Sequence, residues 1–434
     1  MTAEDGPMTT NTRTRADTKP ARHHAHPFLS GGTALVAWLA VFAGYAAVVS
    51  IVTQGPSSAW GALAAVSYGV AALAAWRWRG SVLPLLIGVS GAVVAPAIWL
   101  AIRWPGGGET AVVARAASLL LDHGSPYLAS GQLLSAQSYN PYLPAMSVFG
   151  FPRAAGLPGL LGNPATWLAA ASVVLVAAAI GVGMPHRTWR QGPGRQMWLR
   201  NTALAVMSPV LALPIALGVT DPPVIGLICL ALACANRRPP ARWISWAGLA
   251  AIAIGTACAM KATAWPALPV ITAMIAARNG RRAAARFAAI ATATAIVLIA
   301  GLAPALISQP RGFVDNIIAY PLGLTRHLTP AASPLPGHLL ASTGTAGHVA
   351  AIVLLLLAGA AVAASLLVRP PRDAQAAAIR LALGLTLLFA IAPAARFGYF
   401  AYPAALLGWL ALIRPVTSGD RHDDTLASVA AASS

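Results

Sequence analysis

Charge is what this sequence has least of: Asp and Glu number eleven in 434 residues, and charged side chains of both signs make up 9%, against roughly 25% in an ordinary soluble domain. With 57% hydrophobic residues beside them, most of the chain cannot be solvated by water, and a bilayer is the matching solvent. Cysteine is sparser still, with three. Cys229, Cys234 and Cys258 all lie inside apolar runs with no CxxC spacing, so a thiolate metal site is excluded and three small buried hydrophobes are expected. No internal repeat of fixed period is visible, and no His, Asp and Glu set stands at a recognisable metal-ligand spacing.

What the chain does have is apolar segments. A spanning helix needs about 20 mainly apolar residues, and such stretches recur from Thr33 to Arg414 with short polar breaks. They are read as about twelve spans, at 33–53, 58–78, 82–102, 165–184, 201–218, 223–236, 243–260, 262–277, 287–306, 347–368, 380–395 and 397–413. Pro209, Pro214, Pro222, Pro223, Pro266 and Pro269 interrupt the middle ones, so 201–236 and 243–277 also read as broken hairpins. The fold class expected is all-α, a polytopic transmembrane helical bundle over 29–414. The polar ends, 1–28 and 415–434, read as disordered tails. His23, His24 and His26 in the first tail form a short metal-binding pattern or simply part of a solvated basic arm. The first apolar run is too long for a signal-peptide core and reads as an uncleaved anchor.

A formal net charge of +18 suggests nucleic acid in a soluble protein, but in a polytopic one it follows from the positive-inside bias, and no nucleic-acid partner is expected. With the basic N-terminus in the cytoplasm, all but seven of the 29 Lys and Arg fall in the tails or inner connections; the seven are Arg103, Arg115, Arg153, Lys261, Arg311, Arg326 and Arg396. Both termini are therefore assigned to the cytoplasm of a multi-pass plasma-membrane protein. Two extracytoplasmic loops, 103–164 and 307–346, are long, and long loops on a compact bundle are usually functional.

Away from the tails only Glu109, Asp122, Asp221, Asp315 and Asp373 are acidic, and all but Asp373 map to the outer face. Residues 109–123 put Val112, Ala116, Leu119, Leu120 and His123 on one side of an amphipathic helix at the outer interface, preceded by Gly106, Gly107 and Gly108 and ended by Gly124. Glu109 at its start either complements the helix dipole or carries chemistry. Two turns follow, Gly124-Ser125-Pro126-Tyr127 and Tyr139-Asn140-Pro141-Tyr142-Leu143-Pro144. They either anchor aromatics at the headgroups or, with the short apolar run 143–152, form a re-entrant element capping a cavity. Lys261, Arg396, Arg326 and His327 each snorkel to water or together line a pocket for an anionic headgroup such as phosphate.

In that order these features resemble the membrane-embedded GT-C glycosyltransferases, above all glycosyltransferase family 87, the actinobacterial polyprenol-phosphate-mannose-dependent mannosyltransferases. The resemblance is carried by Glu109, the helix through Asp122, the turns at 124–127 and 139–144, and Arg396-Phe397-Gly398-Tyr399-Phe400-Ala401-Tyr402-Pro403, about a tenth of the chain. It implies an inverting hexosyl transfer from a polyprenyl-phosphate-linked sugar, mannose by family likeness, to a glycolipid or polysaccharide acceptor on the extracytoplasmic side, among membrane lipids and without nucleotide sugar or cofactor. The family's acid is usually an Asp after the first span. Here Glu109 follows three spans, so Glu109 and Asp122 both stand as candidate bases.

One carboxylate suffices as base for such a transfer, because a phosphate already charged on its lipid leaves without a second acid. Lys261 and Arg396, with Arg326 and His327, are the candidates to receive the leaving phosphate, and Tyr127, Tyr139, Asn140, Tyr142 and Tyr399 the candidates to line the substrate pocket. Metal independence is expected, with one Mg²⁺ held by a carboxylate and the donor phosphate as the alternative. A transporter or flippase of a lipid-linked sugar is the competing function; it calls for repeats and for ionisable groups near the midplane.

Overall fold

The computed structural model describes residues 32–185, 194–237, 245–308 and 310–413. Both tails, with His23, His24 and His26, lie outside the described residues. All regular elements among the described residues are helical. In chain order the main helices are α1 Gly32–Val52, α2 Pro56–Arg77, α3 Leu83–Arg103 with a π-turn at Ser90–Val94, and α4 Glu109–His123. There follow α5 Pro164–Gly183, α6 Gly194–Met207, α7 Pro209–Ala216, α8 Asp221–Asn236, α9 Trp246–Met260 and α10 Ala267–Asn279. The last four are α11 Arg281–Leu302, α12 Thr345–Val368, α13 Ala374–Ile391 and α14 Ala401–Ile413.

Local chemistry sets the boundaries. Pro opens α2, α5 and α8 at positions where a missing N–H costs nothing. Asn163, Ser245 and Asp373 cap α5, α9 and α13 through side-chain oxygens that accept from backbone amides at 2.8–3.1 Å. Most of the long helices are apolar on all sides, as lipid requires. Only 11% of α12's apolar stretch is buried, which puts it at the periphery. In α8 every residue but Leu230 and Asn236 is buried, which makes it the central rod, packed against α5, α9, α13 and α14.

Among the described residues the segments read as spans are largely helical, and they differ in length. Among the described residues seven helices are long and apolar enough to cross, or eight if α6 and α7, bent by 67° at the break after Met207, act as one. The helices α8, α9 and α10 have 16, 15 and 13 residues, about 20–24 Å at 1.5 Å per residue, short of a hydrocarbon core near 30 Å. Three short apolar helices, α8, α9 and the segment Phe397–Ile413, share one property: each has an end beside the same polar cluster.

Both long connections leave from the same end of the bundle, called here the loop end. The opposite end carries Arg77, Arg79, Arg195, Arg200, Arg237, Arg278, Arg281, Arg282, Arg286, Arg369, Arg372 and Arg380 among the described residues. Arg187, Arg190, Arg238 and Arg242 lie outside them.

The helix expected at 109–123 is present with both glycine stops, Gly108 at φ 58° and Gly124 at φ 67°. Its buried face differs. Thr110, Val113, Ala116, Ala117 and Leu120 face inward while His123 is exposed, because α4 packs on the bundle through the 3₁₀ turn Pro144–Gly150. A Cβ on Gly150 would stand 2.5 Å from the Val113 carbonyl oxygen, so only glycine permits that approach. The apolar run 143–152 is thus a buried turn reaching into the bundle, tied to α9 by Leu143 N–H donating to Met260 O at 3.0 Å. Cys229, Cys234 and Cys258 are free and buried.

Candidate active site

The site is assembled from four chain segments at the loop end. Glu109 begins α4. Thr220 and Asp221 begin α8, after Gly218 at φ 66° turns the chain; a Cβ there would press on Ala165 at 2.5 Å. Lys261 follows the last residue of α9 in an extended conformation, φ −155° and ψ 135°. Arg396, extended at φ −122° and ψ 147°, precedes the 3₁₀ turn Phe397–Phe400 that leads into α14.

Thr220 is the hub. Its backbone N–H and its hydroxyl both donate to Glu109 Oε2, at 2.9 and 2.6 Å. The same hydroxyl oxygen accepts from Lys261 Nζ at 3.1 Å. Lys261 also pairs with Asp221 Oδ1 at 2.5 Å, and the Tyr402 hydroxyl donates to that oxygen at 2.7 Å. Because the Tyr402 proton is committed, the Thr263 hydroxyl 2.7 Å away is the donor to Tyr402. Tyr142 and Tyr399 flank the ammonium, with ring centroids 5.3 and 5.6 Å from Nζ.

This network leaves Glu109 with one committed oxygen and one open one. Oε1 faces Arg396, whose Nη1 is 3.7 Å away, too long for a hydrogen bond and within ion-pair reach. The pair opens onto a cavity of about 290 Å³ between the loop-end termini of α2, α3, α5 and α7. Leu100, Ala101, Ala216, Leu217 and Val219 make its apolar wall; Glu109, Thr110, Asn163 and Arg396 make its polar part, with Trp104 beside them. Burial pushes the Glu109 carboxyl up, but Lys261, the two Thr220 hydrogen bonds and Arg396 outweigh it and hold the group below its ordinary value. The carboxylate is therefore ionised at neutral pH, as a base must be.

Of the residues singled out from sequence, Glu109, Lys261, Arg396, Tyr142 and Tyr399 come together here. Lys261 is buried and enclosed by its partners, so it braces the site; neither it nor Tyr142 and Tyr399, expected to line the substrate pocket, lines the cavity. Asp122 is not brought to the site: it is exposed near the other end of α4, roughly 20 Å along the axis from Glu109. Arg326 is exposed, His327 is half-buried, and neither bonds to the cluster; His327 O accepts from the Thr325 hydroxyl. Tyr127, Tyr139 and Asn140 support the loop and do not line the cavity. The Tyr127 hydroxyl donates to Tyr142 O at 3.0 Å, Tyr139 stacks on Tyr320 at 4.2 Å, and the Asn140 amide donates to Pro126 O at 3.1 Å. Their common effect is to hold Tyr142 over Lys261.

Thr220, Asp221, Thr263 and Tyr402 are the members that sequence reasoning left out of the site. Asp221 carried a signal: an acid followed by Pro222 and Pro223 at the head of a long uncharged segment. Among the described residues no three His, Cys, Asp or Glu side chains converge as a protein-held metal would need.

No protein-family model and no curated protein matches this chain. Among solved structures it is similar to ArnT from Cupriavidus metallidurans bound to undecaprenyl phosphate, at 18% sequence identity and a TM-score of 0.47, over 82% of this chain. The match spans 64% of the ArnT chain, less than two thirds of its length.

Proposed function

We propose that this chain is a membrane glycosyltransferase of the GT-C type that moves a sugar from a polyprenyl-phosphate donor to an acceptor hydroxyl presented to Glu109, with Arg396 as the cation for the donor phosphate. The observation carrying this reading is the division at Glu109. One carboxylate oxygen is fixed by Thr220, and the other opens on a cavity opposite a cation.

In the transfer, Glu109 Oε1 takes the proton of the acceptor hydroxyl as that oxygen bonds to the anomeric carbon. The bond from the anomeric carbon to the donor phosphate oxygen breaks, and its electron pair leaves with the polyprenyl phosphate. Attack opposite the leaving group inverts the anomeric centre. Arg396, its exposed side chain swung off Glu109 to the leaving-group side of the sugar, receives the charge gathering on the phosphate, a task its planar fork suits. Lys261, expected from sequence to hold that phosphate, instead keeps Glu109 ionised and oriented through Thr220.

Mannose as the sugar and family 87 as kin rest on the segments 124–127, 139–144 and 396–403. A glycolipid or polysaccharide acceptor would meet the loop end. That end is taken as extracytoplasmic, with cytoplasmic termini, because the opposite end carries most of the described arginines. The bend between α6 and α7 beside the cavity supports the competing transporter reading, since broken helices frame transport sites.

The test is to incubate membranes containing the protein with radiolabelled polyprenyl-phosphate sugars. Label moving to a new glycolipid or polymer, and lost in Glu109→Gln with the protein still folded and inserted, supports the transferase. Label that only crosses the bilayer on its original lipid supports the transporter. Full transfer by Glu109→Gln removes the proposed base.

A further inference from the structure

The guanidinium of Arg396 has little to hold it. Its side chain is 42% exposed, and its polar contact to the site is the 3.7 Å approach to Glu109. A long flexible side chain so loosely held can be aimed at a ligand only if its backbone is fixed.

The backbone is fixed from outside the site. Ala395 O accepts from Ser333 N–H at 3.0 Å, and Phe397 N–H donates to Ser333 Oγ at 3.2 Å. Ser333 thus bonds the residue before Arg396 and the residue after it. The two extended segments run parallel, with Ala332 bridged to Ala395. Five residues on, His338 Nδ1 lies 3.0 Å from Pro393 O. At Gly337 a Cβ would fall 1.9 Å from Ile391 O, so the segment presses directly against the end of α13.

The other end of this segment is moored to the connection that leads from Glu109's helix. Asn316 Oδ1 accepts from Asn140 N–H at 2.7 Å, the Tyr320 hydroxyl donates to Ala136 O at 3.0 Å, and Ser130 Oγ donates to Asp315 Oδ2 at 3.1 Å. Residues 314–338 therefore span the gap from the loop supporting Tyr142 to the extended segment carrying Arg396.

We propose that Ser333 is a positioning residue: by clasping Ala395 and Phe397 it fixes the backbone from which Arg396 reaches a lipid-borne phosphate. Ser333 does not line the cavity; it acts through Arg396. The inference rests on the reading of Arg396 as the phosphate ligand.

The experiment uses the full chain in nanodiscs of zwitterionic lipid and measures affinity for a long-chain polyprenyl phosphate, with the parent polyprenol as uncharged probe. Ser333→Ala removes one hydrogen bond to a backbone amide and should weaken phosphate binding about five-fold, leaving polyprenol binding unchanged. Ser333→Thr, which keeps the hydroxyl, should bind as wild type. Ser333→Ala in an Arg396→Ala background should add no further loss, because the two act on one contact. If Arg396→Ala binds weakly while Ser333→Ala binds like wild type, Ser333 does not position it. The positioning role is equally overturned if the two losses multiply, or if polyprenol binding falls as much as phosphate binding. If Arg396→Ala binds phosphate normally, the assignment of Arg396 is itself wrong and this inference goes with it.

Discussion

Glu109 and Lys261 are joined through a third side chain: the Thr220 hydroxyl accepts from Lys261 Nζ at 3.1 Å and donates to Glu109 Oε2 at 2.6 Å. The lysine's proton and the threonine's proton both point toward the carboxylate, so the polarity of the chain is fixed. The arrangement supports an ionised Glu109 without consuming its second oxygen.

Loss of the Thr220 hydroxyl should therefore show in the pH dependence. The Glu109 carboxyl is held below its ordinary value, so the basic form and the stability it brings are complete above the unfolded carboxylate value, about 4.3. Both are lost only as pH falls through the depressed folded value. Thr220→Val removes a lowering contact, and the acid limb of kcat/KM should move upward. An unmoved limb in a pH–rate profile would show that Thr220 does not tune the base.

The two carboxylates of α4 should separate cleanly in kinetics. Glu109→Gln should lower the transfer rate by about 10²–10⁴-fold, the usual contribution of a general base. Asp122→Asn, changing an exposed side chain at the far end of the helix, should stay within about two-fold, because it touches no group of the cavity. Initial rates with equal amounts of inserted protein decide; equal losses in both variants would argue against Glu109 as the sole base.

Asp221 and Lys261 form a buried pair, each side chain 7% exposed. Removing one partner strands the other charge and typically costs about 3–5 kcal/mol. Asp221→Asn and Lys261→Met should each unfold at a lower temperature in detergent than Asp221→Leu with Lys261→Met combined. Should the double variant prove the least stable, the pair would be contributing net stability.

The orientation of the bundle is open to direct labelling. Ser130 is exposed on the loop end, and the three native cysteines are buried. Wild type should resist an impermeant thiol reagent, and Ser130→Cys should react from the extracytoplasmic side. Labelling from the cytoplasm alone would turn the whole topology over.

Much of the architecture was legible because it depends on local composition. Apolar runs mark helices wherever they occur, glycine at 108 and 124 brackets α4 through backbone freedom that other residues lack, and arginines gather at the end opposite the long connections. Glu109, Lys261 and Arg396 stood out for a similar reason, being ionisable groups beside apolar segments, where a charge is expensive unless it is used.

Partnership was not legible. Asp221 and Asp122 look alike in sequence, each an acid at a helix end. Packing turned the first onto Lys261, forty positions away, and left the second in the open. Composition and periodicity act along the chain and fix which segments are helical and which face is charged. The pairing of Thr220 with Glu109, the sealing of Lys261 between two tyrosines and the clasp of Ser333 around Arg396 arise between segments far apart in sequence. They exist because the ends of α8, α9 and the segment Phe397–Ile413 meet at one end of the bundle, and that meeting is settled when the helices pack.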